Sequence, residues 1–170
     1  MSSEPVAAIV KYNPCTPYAR LGRPCPHFRG VRLCGYAPGE CPDERYDLWY
    51  REALRGRVRA FYPLHVRLLD EPGALMLIYH SHARAVVAEA RVVRHTVEGG
   101  WHYYWFDELV KYLEPVPLEL VRSDPRLPRL RGRWVAVYIG EEALAELREL
   151  AGLSGDLRLR LEREAARRSL

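Results

Sequence analysis

Two apolar segments dominate the chain between Gly73 and His95. The first, Ala74-Leu75-Met76-Leu77-Ile78-Tyr79, is continuously apolar. A strand buried on both faces has this pattern, and so does a buried helical segment. The second, Ala85 to Val93, is rich in β-branched and small residues and ends in apolar/charged alternation. That suits a strand leaving the core for solvent. The polar link His80-Ser81-His82 makes the two a predicted hairpin, with the rest of the chain folded around it.

The flanking patterns are shorter. Val6 to Tyr12 reads as a first strand. Asp43 is a suitable N-cap for a helix carrying Tyr46, Trp49, Tyr50 and Leu54 at helical spacing. Arg57 to Tyr62 alternates as a strand does, and Leu64 to Leu69 forms a short helix or turn. Glu98-Gly99-Gly100 is a turn signal. In Trp101 to Leu113, the residues Trp105, Leu109 and Tyr112 share a helical face, which predicts a helix from about Tyr104. Val116 to Val121 reads as a strand, Arg122 to Gly132 as a loop, and Arg133 to Ile139 as a strand. A helix follows from Glu141 to Leu150, ended by Gly152 and Gly155. Asp156 to Leu170 is an amphipathic, Arg-rich helix. Strands predominate without βαβ alternation, so the fold class is α+β: a small mixed barrel with flanking helices.

Length and composition refine this picture. A chain of 170 residues suits one domain of ordinary size with an appendage. The division expected is 1–54 for the first strand, a Cys-rich segment and a helix, 55–153 for the barrel, and 154–170 for the terminal helix. No apolar run approaches the roughly 20 residues of a membrane span, and no signal peptide is evident. The expectation is a cytoplasmic protein without a membrane partner. Net charge is +4, and of 26 basic residues only Lys11 and Lys111 are lysines. Arginine binds phosphate through a bidentate fork and stacks on bases, which suits a nucleic-acid partner. Codon bias in a GC-rich genome produces the same excess. Arg-rich surfaces and loop prolines also occur in thermophile proteins, and together with the family resemblance below they suggest a hot-living archaeal source.

Four stretches carry a family resemblance: RVRAFYPLHVRLL, LMLIYHSHARAVVAEARVV, WFDELVKYLEPVPLELV and GRWVAVYIGEEALAELREL. Together, over about residues 57–150, they resemble the PUA-like superfamily. Within it they are most similar to the ASCH and EVE branches and a small archaeal family related to them. The resemblance implies a five- or six-stranded mixed barrel that binds RNA or a modified base. Some ASCH proteins are amidohydrolases acting on acetylated cytidine, with a G-x-K-x-x-E-x-R signature. The corresponding residues here, Arg67 to Pro72, have neither its lysine nor its spacing, which argues against an enzyme.

Asn13 to Pro42 holds all four cysteines, Cys15, Cys25, Cys34 and Cys41, as C-x9-C-x8-C-x6-C. The segment has little apolar content to order it, and a tetrahedral zinc site would supply the missing folding energy. Pro after Cys25 and Cys41 also occurs around iron–sulfur ligands. Disulfides and unconnected buried thiols are the other readings, and His27 substitutes if one cysteine is not a ligand.

Candidate binding residues fall in three places. His80, Ser81, His82 and Arg84 sit at the hairpin tip, either as surface polar groups or as contacts for a phosphate or base. Trp101 and Tyr103 open an aromatic run beside Gly99-Gly100 and are expected near that tip, while Trp105 and Phe106 read as packing. Arg126, Arg129 and Arg131 crowd the late loop. Glu89 is read as a buried acid paired with an arginine, or else as an acceptor for a base edge. The function expected is a non-catalytic module binding nucleic acid, preferentially RNA or a modified base. The alternatives are a hydrolase of a modified nucleobase or nucleoside, and an accessory subunit docking through the Cys-rich segment or the C-terminal helix.

Overall fold

The computed structural model describes residues 4–12, 41–42, 74–81, 83–132, 134 and 136–152. Five strands and two helices lie within them: β1 (Ala7–Tyr12), β2 (Leu75–His80), β3 (Ala85–Glu98), β4 (Trp101–Pro117), α1 (Leu118–Ser123), β5 (Ala136–Ile139) and α2 (Glu141–Leu150). The expected helix after Asp43, the strand at 57–62, the segment 64–69 and the terminal helix at 156–170 lie outside the described residues.

The strands form one mixed sheet in the order β4-β3-β2-β1-β5. β1 runs parallel to β2, pairing Ala7 with Leu75 and Tyr12 with His80. The other pairings, β1 with β5, β2 with β3 and β3 with β4, are antiparallel. The expected barrel does not close among the described residues; β4 and β5 remain the two edges of an open sheet.

The continuous apolar run of β2 is explained by burial on both faces. Met76 and Ile78 point to one side with Ala8, Val10, Val92, Tyr104 and Phe106. Leu77 and Tyr79 point to the other with Ala7, Ile9, Val86 and Tyr112. A fully buried Ile, Leu or Met side chain contributes about 1.5–3 kcal/mol relative to exposure. The second face is roofed by Leu118 and Val121 of α1, by Leu127 and Leu130 of the following loop, and by Leu144 and Leu147 of α2.

Two expected elements change type. The segment expected as a helix from Tyr104 is the 17-residue strand β4. Its partner β3 runs on to Glu98, and Gly99 and Gly100 join them with φ of 58° and 79°. Two consecutive left-handed residues make the tight turn whose twist matches a hairpin. The segment expected as a strand from Val116 to Val121 becomes α1, because Pro117 ends β4 and Leu118 and Val121 bury one helical side. α2 follows the expected bounds, and Gly152, at φ 71°, lies just beyond its C-cap Ala151.

Candidate nucleic-acid interface

The parallel pairing of β1 and β2 places Lys11 beside Tyr79 on the α1 face of the sheet. The Tyr79 ring lies 5.2 Å from that of Trp134, and the Lys11 ammonium sits 4.6 Å over the Trp134 ring. A cation over an indole face is attracted by the ring quadrupole. Burial alone lowers the Lys11 pKa from its ordinary value. Lysine this close to an apolar floor keeps its charge at some desolvation cost.

Arg84 completes the cluster from the start of β3. It has left-handed backbone, with φ of 51°. Its carbonyl accepts the Leu118 N–H at 2.9 Å, fixing the start of α1 against the hairpin. Its guanidinium lies close to the Tyr79 hydroxyl and meets the Glu119 carboxylate at 3.3 Å. Burial pushes the Tyr79 phenol up, while the charges of Arg84 and Arg122 pull against that rise. Arg122, exposed on α1, donates its Nε–H to the Leu130 carbonyl at 2.9 Å. Lys11, Arg84 and Arg122 thus surround two aromatic rings, with Glu119 as the acid in contact with Arg84.

The sequence-derived residues distribute unevenly around this cluster. Arg84 belongs to it. His80 is fully buried, its ring is 5.2 Å from Tyr12, and its Nδ1 accepts the Ala83 N–H at 3.4 Å. The parity of β2 turns His80 to the face opposite Tyr79, against β1, which removes it from the exposed tip expected for it. Ser81 donates its N–H to the Tyr12 carbonyl at 3.0 Å, and His82 lies outside the described residues. Arg126 is engaged by Asp124 at 3.5 Å and Glu146 at 3.1 Å, whereas Arg129 and Arg131 are exposed on the same loop. Lys11, Tyr79, Arg122 and Trp134 were not singled out by sequence. A charged residue interrupting the apolar β1 run was the one signal available for Lys11.

Trp101 and Tyr103 are not neighbours of the hairpin tip. Ala85 pairs with Pro117 and Glu98 with Trp101, so these groups stand at opposite ends of β3–β4. Fourteen residues of β3 at about 3.3 Å each separate them by roughly 40 Å. At the far end the side chains satisfy one another. His95 Nε2 lies 2.8 Å from His102 Nδ1, and the His95 ring stacks on Tyr104 at 4.8 Å. On the opposite face Trp105 donates its indole N–H to Thr96 at 3.1 Å, and Arg94 covers its ring at 4.6 Å. Phe106 is buried and Trp105 half-buried, so both serve packing, as their pattern suggested.

Glu89 has a structural pairing. Arg148 of α2 grips it with two bonds, 2.7 Å to Oε1 and 3.2 Å to Oε2, and Tyr112 donates its hydroxyl to Oε2 at 2.9 Å. Burial, followed by the Glu89 charge, holds the Tyr112 phenol well above its ordinary pKa. Nearby, the Asp124 carboxyl raises the Glu146 pKa, while the Arg126 backbone N–H lowers that of Asp124.

Of the four cysteines, Cys41 is buried; Cys15, Cys25 and Cys34 lie outside the described residues. Among the described residues no three His, Cys, Asp or Glu side chains gather as metal ligands. No described helix is long and apolar enough to cross a membrane.

The architecture has counterparts among solved structures. The crystal structure of ASCH from Zymomonas mobilis is similar, with a TM-score of 0.50 at 8% identity over 85% of this chain and 95% of that one. A crystal structure of an Agrobacterium tumefaciens protein gives a TM-score of 0.49 at 17% identity, over 86% and 93% of the two chains. An NMR structure from Rhodopseudomonas palustris gives 0.46 at 18%, over 89% and 97%. The fold of this chain is thus similar to that of the Zymomonas mobilis ASCH protein. No protein-family model and no curated protein matches the chain.

Proposed function

We propose that the protein is a nucleic-acid-binding module, preferring RNA or a modified base and acting without catalysis of its own. The cluster of Lys11, Arg84 and Arg122 around the Tyr79 and Trp134 rings carries this reading. Cations supply phosphate contacts, and aromatic faces offer stacking to unpaired bases. Arg129 and Arg131 extend the positive charge along the adjoining loop. The engagement of Glu89 by Arg148 and Tyr112 favours a structural role over that of a catalytic acid or base. Crosslinking in source cells with sequencing of bound RNA tests the reading. Enriched RNA, bound with an affinity that falls steeply with added salt, is the expected result. No enriched RNA, or an affinity indifferent to salt, removes it.

The cysteine segment is proposed to hold zinc through Cys15, Cys25, Cys34 and Cys41, or in the alternative an iron–sulfur cluster. Four thiolates suit either. Anaerobically purified protein should carry about one zinc per chain. A coloured protein selects the cluster, and a colourless protein without zinc overturns both.

A further inference from the structure

We infer that Arg84 is a phosphate-binding residue and that the Glu119 carboxylate occupies the place of the incoming phosphate in the unliganded protein. The inference deepens the RNA reading and rests on it for the source of the phosphate.

Arg84 is poorly explained by the stability of the fold. Its φ of 51° is a backbone conformation that L-residues avoid and glycine accepts freely. Its Nε is buried and finds no hydrogen-bond acceptor among the described residues. A buried donor left unmade is unfavourable, and such groups call for a functional explanation. The compensation from Glu119 is small. Its pair with Arg84 spans 3.3 Å between side chains 40% and 66% exposed, a setting in which ion pairs contribute little. Glycine at this turn would remove both the strain and the orphan donor.

The surroundings fit an anion better than they fit a carboxylate on a mobile side chain. The Tyr79 hydroxyl lies close to the Arg84 guanidinium, the Arg122 charge acts on the same phenol, and Lys11 pairs across from Tyr79 on β1. An arginine fork matches the oxygens of a phosphate in bidentate fashion. Leu118 N–H bonds to the Arg84 carbonyl, so Glu119, the next residue, is held within reach by the backbone itself. Glu119 thereby screens Arg84 when no ligand is present. A phosphate displacing it would draw the guanidinium outward and give the Nε–H an acceptor.

The test follows arginine Nε–H signals by NMR in the full chain and in the Glu119→Gln variant, with the Arg84 signal assigned by its loss in Arg84→Lys. Inorganic phosphate and a single-stranded oligoribonucleotide are titrated separately. The Arg84 signal should move with both probes, and Glu119→Gln should tighten both about two- to fivefold by removing the competing carboxylate. A signal that moves with neither probe, or a Glu119→Gln variant that binds no tighter, overturns the inference. A response to inorganic phosphate alone supports the phosphate site and overturns RNA as its source. Oligonucleotide binding with the Arg84 signal unmoved overturns the phosphate site and leaves the RNA reading standing.

Discussion

The two ends of the β3–β4 ribbon use the same kinds of residue to opposite ends. At the Gly99-Gly100 end, imidazole meets imidazole at 2.8 Å, indole N–H meets hydroxyl at 3.1 Å, and Arg94 lies flat on Trp105. At the Arg84 end, a guanidinium is held in left-handed backbone with a buried donor unanswered, and Lys11 lies over Trp134 with its charge partly desolvated. Arginine beside tryptophan is therefore not a binding signature in itself. What separates the ends is the buried Arg84 Nε–H, which finds no acceptor among the described residues. A satisfied cluster has little to offer a ligand; an unsatisfied one gains by meeting it.

The largest expected effect removes the scaffold beneath both ends. Arg148→Met leaves the buried Glu89 carboxylate without its cation. Urea unfolding should show a loss of about 2–4 kcal/mol, below the fully buried range because Arg148 is 30% exposed. A loss under about 0.5 kcal/mol would mean that Tyr112 suffices to hold the acid.

The comparison itself is broken or upheld by two tryptophans. Trp134→Ala should weaken oligoribonucleotide binding by about 1–3 kcal/mol, the range for a base-stacking residue. Trp105→Ala should leave affinity within about 0.5 kcal/mol while lowering stability, since its ring and N–H are engaged internally. Equal losses of affinity would erase the distinction between the ends.

Alkaline titration gives the smallest and most graded contrast. The folded state keeps the Tyr112 proton, through burial and the Glu89 charge, to a pH well above its ordinary 10.0. Stability is intact below pH 10. It then falls as pH rises toward the folded value, because the unfolded chain releases that proton first, with a limiting slope of about 1.4 kcal/mol per pH unit. Tyr112→Phe should flatten this decline. Tyr79→Phe should flatten it less, since Arg84 and Arg122 offset part of the burial at Tyr79. Urea midpoints between pH 9 and 11 measure both, and an unchanged slope in Tyr112→Phe counts against the buried triad.

The strands that bury both faces, or alternate cleanly, were legible in the chain. β1, β2 and the start of β3 fall where their apolar runs place them. β4 was not, for a geometric reason. Asp107 stands unpaired between Phe106 opposite Val92 and Glu108 opposite Arg91. That bulge switches the faces, so Tyr104 and Phe106 look to one core and Val110 and Tyr112 to the other. A strand with a mid-course face switch imitates the spacing of an amphipathic helix. The candidate site was legible only at Arg84. Tyr79 and Trp134 read only as strand residues, and the meeting of Tyr79 with Lys11 depends on a parallel pairing that local pattern does not encode. His80 misled because parity, not sequence position, decides which way a strand's last residue points.

The place of β1 in the sheet bears on how the molecule assembles. Residues Ala7 to Tyr12 fill the slot between β2 and β5, so Ala7 must find both Leu75 and Ile139. The β2–β3–β4 ribbon is built from neighbours in sequence and can form early and fast. The slot beside β2 stays open until distant segments arrive, and closing such long loops slows folding. During synthesis, therefore, the first of these strands to be made is among the last to be seated. Until then the edge of β2, apolar from Leu75 to Tyr79, is open to wrong partners.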